Sequence, residues 1–319
     1  MILKTLQIVL PVIIIVLIGL FYAKKTNINT DTINKINLDI FIPILIFYAI
    51  AQKLPNISIL GYFSLGAVIV VFGSGLILYP FLKMMNINIK SFLPTMMFNN
   101  SLNLGLPLAM LAFGNEAMAM FIALSLVQVI GQFTVAVAMY GGTFNPLTLL
   151  KNPVVIATIL GLFFNYFGVE FSKVIITTFD LLSGVAIPLI LFSLGVRLSS
   201  VKFDNIKIGL IGAVLCPISG VITAYIAILI FDYTPLQENL LILFGLLPPA
   251  VLNAILAEKY KNNSSIVASV VAMGNILSLV YIPIALYFML WFFHFFRIIW
   301  ILRGVPFYGG GLYKRARFI

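Results

Sequence analysis

A polar stretch at 98–107 interrupts a long apolar run. It contains three asparagines and a serine, followed by Gly105 and Pro107, which we expect to break the helix. In hydrocarbon an unpaired backbone group costs several kcal/mol, so a break survives only against protein or a water-filled cavity. The second half of the chain has a counterpart at 244–253, which contains a Pro-Pro pair. Interrupted segments at matching places in two halves are typical of secondary transporter binding sites.

Composition places the chain in a membrane. Of its 319 residues, 62% are hydrophobic and 9% charged, and the mean hydropathy is +1.15. A soluble domain cannot bury that much apolar surface, so we expect a polytopic membrane protein surrounded by lipid. The formal charge of +10 comes from basic residues in short loops between apolar runs. The positive-inside rule explains this pattern without a nucleic-acid partner.

The sequence predicts no metal and no cofactor. Cys216 is the one cysteine and lies in an apolar segment, so neither a disulfide nor a thiolate metal site is expected. The one histidine, His294, lies among phenylalanines, where an interfacial position is expected. The chain also lacks the Gly-x-x-x-x-Gly-Lys-Ser/Thr run that cradles the phosphates of ATP.

Hydropathy and helix-breaking residues predict ten membrane spans. The first is too long for the core of a signal peptide, and it is followed by Lys24 and Lys25 rather than by a cleavage site. The second is short and contains Pro43. The predicted spans are 6–23, 38–51, 62–82, 91–113, 117–140, 153–167, 174–196, 206–231, 236–257 and 264–290.

Alternating the loops across the membrane separates the basic residues. One side collects eleven: Lys24, Lys25, Lys35, Lys83, Lys90, Lys151, Arg197, Lys202, Lys207, Lys259 and Lys261. The other side collects three: Lys4, Lys53 and Lys173. The positive-inside rule therefore places the first side in the cytoplasm and the N-terminus outside a cell membrane. The basic tail at 291–319 breaks this pattern, so either it re-enters the membrane or it is atypical.

An internal repeat divides the chain. Pro11 and Pro153 are 142 residues apart, Pro43 and Pro188 are 145 apart, and Pro107 and Pro248 are 141 apart. Such nearly constant offsets indicate two related halves of five spans each. Because five is odd, the second copy enters the membrane from the opposite side, which makes the repeat inverted. We therefore predict an all-α fold with five-helix repeats at 1–145 and 146–290, in which the broken fourth and ninth helices cross at mid-membrane.

Several short motifs, in order along 6–290, carry a family resemblance. They are Ile33-Asn-Lys35 before Pro43, Asn100-Ser-Leu-Asn-Leu-Gly-Leu-Pro107, Phe192-Ser-Leu-Gly195, Pro248, Leu256-Ala-Glu-Lys-Tyr260 and Pro283. The second is similar to the Asn-Thr-Leu-x-x-Gly-Ile-Pro of the fourth helix in the auxin efflux carrier family. With these motifs the chain resembles that family, which includes plant PIN-type carriers and bacterial malonate-type transporters.

The resemblance implies a ten-helix fold similar to that of bile-acid symporters, with a scaffold domain and a transport domain. It also implies that helices four and nine cross in the transport domain and hold an organic anion beside the crossing. The chain departs from the plant members in the third helix. They carry an aspartate there, whereas no acidic residue lies between Lys53 and Lys90 here.

The predicted substrate site lies at the two breaks. The half-helices that follow them present unpaired N–H groups and about half a positive charge each, which suits a carboxylate. The asparagines beside the first break either contact the substrate or only join neighbouring helices, and we favour contact by Asn100 or Asn103. The candidate binding residues are Asn100, Ser101, Asn103, Gly105, Pro107, Pro248, Pro249 and Asn253.

Four further polar residues are candidates for the cavity or for ion coupling. Gln128 and Gln132 lie four residues apart on one helix face and, like Asn275, either line the cavity or join two helices. Asp180 is the one carboxylate well inside a predicted span. It is either a proton-coupling group or an interfacial residue that reaches water.

These features predict a secondary transporter of small organic carboxylate anions that works by alternating access. They allow a homodimer but do not decide the oligomeric state. A cation/proton or sodium-coupled transporter on the same fold is the nearer alternative, but such proteins place acidic residues at the breaks. An intramembrane enzyme needs a metal or a nucleophile–base pair, and one histidine and one cysteine far apart offer little. We therefore expect transport rather than catalysis.

Overall fold

The computed structural model describes residues 2–26, 30–54, 58–199 and 205–302. The α-helices are α1 (Ile2–Lys25), α2 (Thr30–Ile36), α3 (Ile42–Lys53), α4 (Ser58–Met84), α5 (Ile89–Met97), α6 (Leu106–Phe113), α7 (Asn115–Gly131), α8 (Val137–Tyr140), α9 (Pro146–Leu150), α10 (Pro153–Tyr166), α11 (Lys173–Ser199), α12 (Ile206–Ile230), α13 (Pro235–Leu246), α14 (Val251–Lys259) and α15 (Ser264–Leu302). Three π-helical segments continue them: Asn37–Phe41 between α2 and α3, Ser101–Gly105 before α6, and Gln132–Ala136 between α7 and α8. Lys202 and the tail residues 303–319 lie outside the described ranges.

Much of the described chain is suited to lipid. Seven helical stretches are long and apolar enough to cross a membrane: Thr5–Lys25, Thr32–Lys53, Gly61–Met84, Asn115–Tyr140, Lys173–Ser199, Ile206–Ile230 and Ser264–Trp291. Two shorter apolar helices are Ser101–Phe113 and Pro153–Tyr166. Large apolar side chains lie on the outer surface, including Leu76 (79% exposed) and Leu229 (74% exposed). Such a surface is costly in water and is covered by acyl chains in a bilayer, so the protein is a multi-span membrane protein.

Two helices extend furthest beyond the ranges predicted from the sequence. The second span forms one apolar stretch over Thr32–Lys53, because the segment Asn37–Phe41 places Pro43 in the first turn of α3. A proline is tolerated there because the missing N–H needs no intrahelical partner. α15 passes the predicted end of the tenth span at 290 and continues to Leu302, so the first part of the predicted tail is helical.

The two half-helices that precede the breaks begin with specific caps. The side chain of Asn88 accepts a hydrogen bond from the Ser91 N–H (3.3 Å) at the start of α5. Thr234 and Gln237 form a reciprocal capping box at the start of α13. Because each cap satisfies orphan N–H groups, both half-helices are anchored at the end away from the break.

Packing divides the long helices into two groups. In the first group α1 lies along α11, and α3 packs against α10 and α11. The second group is built around α12, which packs against α4, α5, α13 and α15. Contacts between the groups are sparser and include those of α3 with α7 and of α1 with α15. Both interrupted helices belong to the second group.

α1 and α11 approach so closely that glycine is required at their crossing. A Cβ on Gly19 would overlap the carbonyl of Phe192, and a Cβ on Gly195 would overlap the carbonyl of Val16. Small residues of this kind let helix backbones touch, and such packing is a main source of helix association in lipid.

We predict that Gly195→Ala lowers the stability of the protein by about 1–3 kcal/mol, since the new methyl group pushes α1 and α11 apart. Gly184→Ala is the matched control, because it lies on the same helix and its Cβ would meet nothing within 4 Å. The thermal unfolding midpoints of the purified variants test this. A wild-type midpoint for Gly195→Ala would contradict the close crossing.

Candidate functional site

The first helix break lies before the residues predicted to cause it. α5 ends at Met97 and helix resumes at Ser101, so Gly105 and Pro107 lie inside the following half-helix. The π-helical segment absorbs the proline: the Leu106 N–H bonds the Ser101 carbonyl, and Pro107 falls in the first turn of α6. The prediction that Gly105 and Pro107 break the helix is therefore wrong.

The second break lies where the sequence predicts it. α13 ends at Leu246, α14 begins at Val251, and the Pro-Pro pair lies between them. Two consecutive prolines remove two N–H donors, so the helix cannot continue through them. Gly245, beside this break, touches Gly220 of α12, and a Cβ on either glycine would overlap the backbone of the other. The backbone of α12 therefore packs directly against the break.

The two breaks pair with each other. Asn99 and Pro249 form an isolated antiparallel β-bridge. The Asn100 N–H donates to the Pro248 carbonyl at 2.8 Å, and the Ala250 N–H donates to the Phe98 carbonyl at 2.9 Å. Each break thus satisfies backbone groups that the other has freed, as apolar surroundings require.

We call the paired breaks, residues 98–100 and 247–250, the junction. Asparagine side chains cap the half-helices on either side of it. Asn99 Nδ2 donates to the Phe244 carbonyl in the last turn of α13 at 2.7 Å. Asn253 Nδ2 donates in the other direction, to the Phe98 carbonyl after α5, at 2.9 Å. These bonds supply the orphan carbonyls at the ends of both half-helices with donors.

A third asparagine joins the junction to α15. Asn275 Nδ2 donates to the Pro249 carbonyl at 3.0 Å, and its Oδ1 accepts from Asn100 Nδ2 at 2.9 Å. The side chains of Asn99, Asn100, Asn253 and Asn275 are all buried. Asn100 and Asn275 therefore stabilise the pairing of the breaks.

A chain of side-chain hydrogen bonds joins the two half-helices that follow the breaks, from Ser101 to Asn253. Ser101 Oγ donates to Gln128 Oε1 (3.2 Å), and Gln128 Nε2 donates to Gln132 Oε1 (2.6 Å). Gln132 Nε2 then donates to Asn253 Oδ1 at 3.2 Å. Since Asn253 itself donates to the Phe98 carbonyl, which can only accept, the orientation of every amide in the chain is determined.

A cavity of about 280 Å³ lies beside the joined breaks, between the two helix groups. The first residues of both following half-helices, Ser101 and Val251, contribute to its wall. Its polar lining residues are Asn34, Asn37, Asp39, Asn99, Asn100, Ser101, Asn103, Gln128, Gln132, Asn152, Ser193 and Arg197. The volume is close to the lower end of the roughly 300–1,000 Å³ of small-molecule sites, so it suits a small guest.

Several buried polar atoms on the cavity wall have no hydrogen-bond partner among the described residues. They are Asn34 Nδ2, Asn37 Oδ1, Asn99 Oδ1 and Ser193 Oγ. Buried polar groups are paired in the large majority of cases, and unpaired ones are costly. Because these atoms belong to residues around one cavity, their grouping indicates that a bound guest or water completes them.

The cavity wall also carries charged side chains of both signs. Arg197, near the end of α11, and Asp39, in the segment Asn37–Phe41, both line it. Sequence reasoning missed both, because it treated Arg197 as a loop charge and did not consider Asp39. α11 extends to Ser199, so Arg197 lies within a helix. Within the described ranges, no group of three or more His, Cys, Asp or Glu is placed to hold a metal ion.

The residues predicted from the sequence occupy three different places. Asn100, Ser101, Asn103, Gln128 and Gln132 line the cavity. Six others do not line it: Gly105 and Pro107 lie within the half-helix that follows the first break, and Pro248, Pro249, Asn253 and Asn275 form or support the paired breaks. Asp180 lies elsewhere, with its carboxylate 3.9 Å from Lys53 Nζ and its side chain 55% exposed.

Asn103 differs from the other asparagines near the breaks. Its side chain is half-buried, lines the cavity and makes no hydrogen bond within the described part of the chain. Asn99, Asn100 and Asn253 each use their Nδ2 in the junction. Of these four asparagines, Asn103 is therefore the one whose donor remains available to a guest.

Comparisons with known proteins agree on membrane transport. A family model described as a membrane transport protein matches the chain twice, over residues 5–145 and 139–286. Each matched segment contains one of the two breaks. An uncharacterized transporter of Methanocaldococcus jannaschii is 26% identical over 299 residues, a match that covers 87% of this chain and 96% of the relative.

We predict that Asn253→Leu lowers the stability by about 1–3 kcal/mol, because it leaves the Gln132 amide without its acceptor in a buried site. Asn103→Leu is the control, with the same substitution at a side chain that makes no hydrogen bond to the described residues, and it should leave the stability nearly unchanged. Thermal unfolding of the two purified variants tests this. Equal midpoints would show that the hydrogen-bond chain has no structural role.

Proposed function

This chain belongs to the auxin efflux carrier family of membrane transport proteins, and we propose that it is a secondary transporter of small organic carboxylate anions. The observation that carries the proposal is the cavity at the paired breaks, where two half-helices begin and where Arg197 and Asn103 line the wall. These donors attract an anion and repel a cation, so the combination does not fit a carrier that binds only cations.

The chemistry of the wall suits a carboxylate in three ways. The half-helices that begin at Ser101 and Val251 each offer first-turn N–H groups and about half a positive charge. The guanidinium of Arg197 has the planar fork that pairs with two carboxylate oxygens. Asn103 Nδ2 supplies a neutral donor. Charge-assisted hydrogen bonds of this kind contribute about 1.5–3 kcal/mol each.

The position of the cavity supports alternating access. It lies between the group of α1, α3, α10 and α11 and the group that holds both breaks. Movement of the second group along the first leaves the junction intact, because the junction is closed by its own hydrogen bonds. The cavity then opens to one side of the membrane at a time.

We further propose ten spans arranged as two inverted five-helix repeats in the cell membrane, with the N-terminus outside. The basic residues support this orientation, since eleven fall on the proposed cytoplasmic side and three on the other before the tail. The antiparallel pairing of the two breaks is consistent with an inverted relation between the halves.

The orientation is tested with single cysteines at Lys151 and Asn115, both exposed, in a Cys216→Ala background. We expect an impermeant thiol reagent to label position 151 from the cytoplasmic face and position 115 from the outer face. Cys216 is buried, so its removal lowers background without exposing a new surface. Labelling of both positions from the same face would contradict the inverted arrangement.

The substrate class is tested by flux of mono- and dicarboxylates into proteoliposomes. We expect Asn103→Leu and Arg197→Gln to weaken carboxylate binding roughly ten- to a hundred-fold, as the loss of a charge-assisted bond predicts. Asn115→Leu, an exposed position outside the cavity, is the control and should keep wild-type affinity. Wild-type affinity in both cavity variants, or flux of a simple cation with no response to any carboxylate, would contradict the proposal.

A further inference from the structure

Two asparagines that line the cavity, Asn37 and Asn99, each have a buried side-chain oxygen that lacks a hydrogen-bond donor. Asn37 Nδ2 donates to the Ala186 carbonyl at 3.2 Å, and Asn99 Nδ2 donates to the Phe244 carbonyl at 2.7 Å. Because a backbone carbonyl can only accept, these bonds determine which way each amide is turned. The remaining Oδ1 atoms have no partner among the described residues, although the two side chains are only 2% and 5% exposed.

A carboxylate cannot satisfy these atoms. An ionised carboxylate only accepts hydrogen bonds, and so does an amide oxygen, so the two repel each other at close range. The carboxylate of a guest therefore lies against the donors of the wall, and a different group of the same guest can take the place of water at the oxygens of Asn37 and Asn99. That group must carry a donor.

Charge indicates which donor fits. Asp39 lines the same cavity, lies in the same π-helical segment as Asn37, and forms no ion pair within the described part of the chain. A cavity wall with Asp39 and Arg197 complements a guest that carries both signs of charge. We propose that the substrates are small zwitterionic amino carboxylates, an inference that rests on the proposed transport of carboxylates.

The two ends of such a guest meet different parts of the wall. The carboxylate binds Arg197, Asn103 and the starts of the two half-helices. The ammonium group donates to the oxygens of Asn37 and Asn99 and is balanced by Asp39. The small volume of about 280 Å³ favours amino acids with short side chains.

Binding by the purified full-length protein to propionate, lactate and alanine tests the inference. These compounds share a three-carbon skeleton and place a hydrogen, a hydroxyl or an ammonium next to the carboxylate. Thermal shift over a concentration series gives each affinity, since a ligand stabilises the protein by RT ln(1 + [L]/Kd). Alanine is expected to bind at least about tenfold more tightly than propionate, and more tightly than lactate.

Affinity of propionate or lactate equal to that of alanine would overturn the inference. Malonate separates it from the proposed function. If malonate and propionate bind while alanine does not, the proposal of a zwitterionic substrate is wrong, and the proposal of carboxylate transport is supported. If none of the four compounds binds or is transported into proteoliposomes, the carboxylate proposal fails as well.

A substitution at Asp39 tests which part of the cavity binds the ammonium group of the guest. Asp39→Asn keeps the side-chain volume and removes the charge, and it is expected to weaken alanine binding about tenfold while leaving lactate binding unchanged. Glu116→Gln, an equal loss of charge at an exposed position outside the cavity, is the control. Unchanged alanine binding in Asp39→Asn, or an equal loss for lactate and alanine, would overturn the assignment.

Discussion

A helix that stops inside apolar surroundings frees backbone N–H and C=O groups that water cannot reach, and each of them must find a partner in the protein. In the part of the chain that the structure describes, the two helices interrupted after Met97 and after Leu246 meet this requirement together. The bridge between Asn99 and Pro249 pairs the two breaks, and the side chains of Asn253 and Asn275 supply further donors to their carbonyls. Neither break is satisfied alone, so the packing of the second helix group depends on their meeting.

The same pairing creates the site. Once the carbonyl ends of the first half-helices are capped across the junction, the N–H ends of the second half-helices remain, and their first residues, Ser101 and Val251, line the cavity. Polar side chains near the junction then fall into two kinds. Gln132 and Asn253 are held by hydrogen bonds and support the structure. Among the described residues Asn103 has no hydrogen-bond partner and neither does the side-chain oxygen of Asn99, so these groups are available to a guest.

The cavity draws its walls from both helix groups, and this gives the fold a means of motion. The first group is locked by close glycine contacts between α1 and α11. The second is locked by the junction and by the packing around α12. Two stiff bodies with sparser contacts between them can move relative to each other without breaking either. The alternating access that we propose for this protein uses such movement.

The sequence alone determined the membrane class of the protein, the second break and the partnership of the two breaks. These follow from local physics, because apolar composition, proline chemistry and the spacing of prolines need no knowledge of neighbours. The first break was misplaced, because the π-helical turn at Ser101–Gly105 accommodates Pro107.

Only the tertiary structure decided which polar side chains support the junction and which face the cavity. Asn100 and Asn103 are indistinguishable in the sequence, yet Asn100 bonds Asn275 of α15 and Asn103 does not. Asp39 and Arg197 are distant along the chain and reach one cavity because α11 packs against the π-helical segment that holds Asp39. Hydrogen-bond partners and burial depend on contacts between helices that are distant in the sequence. These contacts form only when the helices pack, so the linear pattern does not specify them.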